Sequence, residues 1–242
     1  MSPFLLSIVL GLSAALANSV GGLILVRRKW ERHYLKYFVS LGSGFMLSTA
    51  ILEMVPESIH LSPAYGTLLI LGGYCLLHFF EHIVTAHFHF GEETHNEQFL
   101  HAHKGYTVMV ALMVHALFDG IAIGSGFLVS RSLGILIFLA IFLHKIPEGF
   151  TVGSVMLASG KSKSAAVNAS IGLGVATVLG VLAMHSLQSM VAIGLPLSAG
   201  VTIYVAATDL VPEVNKEPGF TTALTFFAGV LAAFGLERWM GI

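Results

Sequence analysis

Eight long apolar stretches account for most of this 242-residue chain, at about 4–26, 35–58, 65–86, 105–129, 132–157, 165–185, 188–212 and 219–240. A helix that crosses a bilayer needs about 20 predominantly apolar residues, and no other open structure satisfies its backbone in lipid. Charged residues make up 10% of the chain, against about a quarter in soluble domains. That is too little polar surface to cover a globule. The expected fold class is therefore all-α, a polytopic membrane protein whose eight transmembrane helices form a single domain over 1–242, with the lipid bilayer as its first partner.

Charge sets the expected orientation. Arg27, Arg28, Lys29, Arg32 and Lys36 follow the first stretch, and by the positive-inside rule that loop is cytoplasmic. Alternation then places Lys104, Lys161, Lys163 and Lys216 inside, with only Arg131 and Arg238 outside. Both termini are expected outside. The short loops favour a cell membrane, in particular a bacterial inner membrane. The net charge of -1 supplies no basic field for nucleic acid.

An internal repeat underlies this layout. The second stretch reads GFMLSTAILEMVPE and the seventh, 156 residues later, GVTIYVAATDLVPE. Gly44 aligns with Gly200, Glu53 with Asp209, Pro56 with Pro212 and Glu57 with Glu213. One span runs outward and the other inward, so the expected relation is an inverted repeat, with the substrate site near the midplane. The competing reading is chance recurrence of small residues and VPE.

The fourth and fifth stretches are separated only by SRS, which forces an antiparallel hairpin, and they also resemble each other. HALFDGIAIGS is followed 29 residues later by HKIPEGFTVGS. Residues four apart share a helix face, so His115 with Asp119, and His144 with Glu148, each offer an imidazole and a carboxylate on one edge. Two such edges facing each other supply two nitrogens and two oxygens, which suits zinc or another divalent first-row metal. The single cysteine, Cys75, leaves no thiolate cluster to compete. The alternative is a set of buried ion pairs that tie the hairpin together. Four ionisable groups at duplicated spacing, each costly in lipid, favour the metal.

At these residues the chain resembles the ZIP (Zrt-/Irt-like protein) family of divalent-metal transporters, and the resemblance extends over its whole length. HKIPEG is its most specific part. HALFDG departs from the family's usual form by lacking proline and by using Asp for Glu. The resemblance implies a 3+2+3 arrangement, with spans 1–3 and 6–8 around the central hairpin, that moves zinc or a related ion into the cytoplasm. It assigns the primary transport site to His115, Asp119, His144 and Glu148. A second metal in relatives would use the positions of Ala116 and Lys145 and one in span six. Here Ala116 cannot coordinate, Lys145 brings a cation, and span six has no carboxylate. A mononuclear centre is expected, with Lys145 as a cationic surrogate for the second metal.

Other polar residues carry weaker expectations. Glu53, Glu57, Asp209 and Glu213 are pathway ligands or hydrogen-bonded helix ends. His78, Glu81 and His82 lie at i, i+3 and i+4, as an exit relay or as pairing groups. The loop residues His87, His89, His95, His101 and His103 suit weak metal capture or a solvated linker. An intramembrane zinc hydrolase is the alternative class, disfavoured because it keeps a coordination position open for water. Zinc is the expected cargo, with iron, manganese or cadmium as the alternatives, and a homodimer is a candidate assembly.

Overall fold

The computed structural model describes residues 1–27, 32–84, 102–216 and 219–241, with backbone only at 32–34, 84 and 102–104. Eight of its helices are long and apolar enough to cross a membrane. They are α1 (Pro3–Arg27), α2 (Leu35–Leu61), α3 (Gly66–Ile83), α4 (Gly105–Val129), α5 (Arg131–Ala158), α6 (Lys163–Ser186), α7 (Gln188–Lys216) and α8 (Phe220–Met240). The expected stretches and these helices agree to within two residues except at the ends of α2 and α7, which run on to Leu61 and Lys216, and of α3, expected to reach 86, where the described residues stop at Val84.

Those extensions have a local cause. Each helix widens into a π-helix, Ala50–Met54 in α2 and Val205–Leu210 in α7, and resumes as an α-helix at Val55 and Val211. A proline follows at once in both, Pro56 and Pro212. Proline has no N–H to give the fourth residue back, and a π turn absorbs the mismatch without ending the helix. Pro147 has a different outcome. α5 continues through it, and the backbone of Leu143, whose carbonyl loses that partner, packs beside Gly42 of α2.

In lipid, helices gain nothing by hiding apolar surface from other apolar surface, so association depends on close packing. Glycine supplies the closeness here. A Cβ on Gly44 would collide with the carbonyl of Phe226 in α8, and one on Gly229 with that of Leu41 in α2. The same two collisions recur at an offset of 156, with the helices exchanged: Gly200 against Ile70, and Gly73 against Leu197. Around the hairpin, Gly21 meets Ile146 and Gly149 meets Asn18, while Gly180 meets Leu117 and Gly120 meets Thr177. Each α1–α5 contact thus has its counterpart between α6 and α4, at offsets of 159 for the outer helix and 29 within the hairpin. α1, α4, α5 and α6 pack on one another, and the pairs α2–α8 and α3–α7 flank them.

The tip of the hairpin is tight for a similar reason. Ser130 caps α5 by accepting the Leu133 N–H at 3.1 Å, and Gly126 and Gly134 let the two helices touch just beyond the turn. At the far edge of the bundle, Ser7 of α1 and His185 of α6 share a hydrogen bond of 2.6 Å.

The mirrored contacts predict mirrored sensitivity. Gly44→Ala and Gly200→Ala are each expected to lose about 1–3 kcal/mol through overpacking, whereas Gly172→Ala and Gly235→Ala, with open space around them, lose nothing comparable. Denaturant unfolding in detergent measures all four.

Candidate metal centre

The hairpin brings the four expected ligands together. His115 and Asp119 of α4 and His144 and Glu148 of α5 are all buried, and one ligand atom from each lies within 4.8 Å of the others. This group can hold a metal ion. The close approaches at Gly120 and Gly149, one residue beyond each carboxylate, press α6 and α1 against the hairpin and seal it from lipid.

One oxygen organises the group. Oδ2 of Asp119 lies 3.1 Å from Nε2 of His115, 3.4 Å from Nε2 of His144 and 2.6 Å from Nζ of Lys145. Lys145 also donates to Oε2 of Glu148. Its side chain is fully buried, at 0% exposure; it does not reach toward an interface. His144 is oriented from behind, its Nδ1 lying 3.2 Å from the carbonyl of Ala140. That leaves Nε2 for the cluster, the arrangement common behind metal-binding histidines.

The ammonium binds one oxygen of each carboxylate and leaves the other. Oδ1 of Asp119 and Oε1 of Glu148 are buried without a hydrogen-bond partner, as is Nδ1 of His115. Unpartnered buried acceptors are costly, and two carboxylate oxygens beside two imidazoles are the donors a divalent cation takes. Beside them lies a narrow cavity with about 10 Å³ of free space, room for about one water-sized body. It is lined by His115, Leu112, His144 and Glu148 from the hairpin and by Val205, Asp209, Leu210 and Glu81 from α7 and α3. Asp119 does not line this cavity.

The outer residues divide into two mirrored clusters. Asp209, in the π-helix of α7, lies close to Glu81 of α3, which also neighbours Tyr204. Glu53, in the π-helix of α2, lies close to Glu237 of α8. Glu237 escapes the sequence reading, although the offset of 156 that pairs Glu53 with Asp209 also pairs Glu81 with Glu237. His82 lies 3.4 Å from the Tyr204 hydroxyl and stacks on His78 at 4.1 Å between ring centroids. Glu57 and Glu213 are more exposed, near His60 at 3.7 Å and Lys216 at 3.1 Å. His87, His89, His95 and His101 lie outside the described residues, as does the side chain of His103.

The sequence matches the ZIP zinc transporter family over residues 2–109 and 91–237. The chain belongs to the ZIP zinc transporter family. Among curated proteins, it is similar to the zinc transporter SLC39A7 of Mus musculus, 29% identical over 144 residues. That match covers 55% of this chain but only 30% of the mouse protein, so the chain spans less than a third of that relative. Membership in the ZIP family, together with the eight apolar helices, makes this a multi-pass membrane protein.

Lys145 offers a direct check on the electrostatics of this ZIP site. Removing one partner of a buried charge cluster leaves the others uncompensated, at a cost of about 3–5 kcal/mol. Lys145→Met is expected to destabilise the protein by that order when unfolding is followed in a metal chelator.

Proposed function

We propose that this ZIP protein carries divalent metal ions, zinc foremost, across the membrane into the cytoplasm. One ion is held by His115, Asp119, His144 and Glu148 and exposed to each side in turn. The observation that carries the reading is the convergence of two imidazoles and two carboxylates, fully buried, on facing edges of one hairpin. Mixed nitrogen and oxygen ligation suits zinc and also admits iron(II), manganese and cadmium. Two units, α1–α3 and α6–α8, related by an in-plane two-fold, flank the hairpin; the contacts repeated at constant offset support this 3+2+3 arrangement.

Lys145 fills the role of a second metal. Two carboxylates side by side in a dry site repel each other, and its ammonium balances them while the centre awaits its ion. The two free oxygens then accept a single divalent cation. Glu81 and Asp209 on one side, and Glu53 and Glu237 on the other, serve as stations between the centre and water. Glu213 and the histidine-rich loop lie on the cytoplasmic side and Glu57 on the outer side, with both termini outside.

Uptake into sealed liposomes tests the function. The unaltered chain is expected to accumulate zinc, and Ala at His144 or Glu148 to abolish accumulation, with His115→Ala and Asp119→Ala nearly as severe. Normal uptake by Glu148→Ala would remove the site. Sidedness has its own measurement. In a Cys75→Ser background, cysteine at Glu57 should react with an impermeant thiol reagent from outside and cysteine at Glu213 from inside; reaction of both from one face would contradict the inverted arrangement.

A further inference from the structure

The cavity beside the centre reaches only one of the two mirrored carboxyl clusters. It joins His115, His144 and Glu148 to Asp209 and Glu81. The offsets that map one set of helix contacts onto the other also map this lining. Val205 becomes Thr49, Leu210 becomes Met54, Leu112 becomes Ile141, and Glu148 becomes Asp119, with Glu53 and Glu237 at the mouth. In this structure the cavity does not reach those counterparts: Met54 and Ile141 pack within one apolar core, whereas Leu210 and Leu112 belong to separate ones with the cavity beside them.

One detail marks the closed side as more than filled core. The Thr49 hydroxyl is buried with no hydrogen-bond partner, where its counterpart Val205 has no polar atom to satisfy. A hydroxyl kept unpartnered in a dry place is costly, and opening the passage would hydrate it. A second difference concerns chemistry. Met54 presents a thioether, where the open side presents the aliphatic Leu210. Thioethers are soft ligands that favour thiophilic ions over manganese.

We infer that Thr49 and Met54 line a second half-passage, closed in this structure, from Asp119 and the two histidines to Glu53 and Glu237. Met54 makes that half the one that discriminates, favouring thiophilic divalent cations such as cadmium and zinc over manganese. The two halves are therefore alike in their helices and unlike in their selectivity. This inference rests on the transport reading above and adds to it which side selects and through which residue.

The test uses the full chain in sealed vesicles and three probes: cadmium, zinc and manganese ions. Met54→Leu, which installs the residue of the open side, is expected to lower the ratio of cadmium to manganese uptake roughly tenfold, the scale on which partners around a metal act. Leu210→Met is expected to leave that ratio closer to the unaltered value than Met54→Leu does. Independently of flux, in a Cys75→Ser background, Thr49→Cys should be labelled by an impermeant thiol reagent from one face of the membrane and Val205→Cys from the other. Transport with an unchanged ratio in Met54→Leu overturns the selectivity. Failure of Thr49→Cys to label from either face, while Val205→Cys labels, overturns the passage. A chain that moves none of the three ions overturns the transport reading and this inference together.

Discussion

Everything in this protein is arranged around a charge cluster that lipid would not otherwise tolerate. Asp119, Glu148 and Lys145 are buried in one hairpin, with two imidazoles in contact or close by. Such charges are affordable at membrane depth only when paired and walled off from hydrocarbon. Lys145 supplies the pairing. α1 and α6 supply the wall, and they come close enough only because Gly149 and Gly120 offer no side chain at the contact. The glycines and the ionisable groups are thus two parts of one solution, which explains why each carboxylate is followed immediately by glycine.

The same economy appears in the flanking helices. In α2 and in α7 a π turn stands just before a proline, and each carries the carboxyl that faces an outer helix. Widening the helix there turns Glu53 toward Glu237 and Asp209 toward Glu81 without interrupting either crossing. The central cluster and the two outer clusters follow from one rule: a polar group in the membrane is held by a specific break or close contact in the backbone nearby. Transport, on this account, is the ion passing between groups already held in that way.

Most of this was legible in the sequence because it is periodic. Apolar runs of crossing length mark the helices, and His-x-x-x-Asp and His-x-x-x-Glu, 29 residues apart, mark the edges that meet. The VPE repeat marks α2 and α7 as counterparts. Lys145 was also legible, because its place three residues before Glu148 puts it on the face of the ligands. Three features were not. The π turns do not follow from proline: α5 simply continues through Pro147, and α3 makes a π turn at Phe80–Val84 with no proline beside it. Glu237 is hidden because the surrounding GLERW has little in common with FFEHI, so only the constant offset reveals it. The one-sided cavity is a property of conformation, which a repeat of two equivalent halves cannot specify.

The central claim is that a single divalent ion sits among His115, Asp119, His144 and Glu148, with Lys145 in the place of a second. Anomalous scattering from crystals soaked in zinc or cadmium tests it most directly. The account predicts one peak in the hairpin, at about 2.0–2.2 Å from the ligand atoms for zinc, with Lys145 still on the carboxylates. Two peaks between α4 and α5, or none there with the metal bound elsewhere, would contradict it.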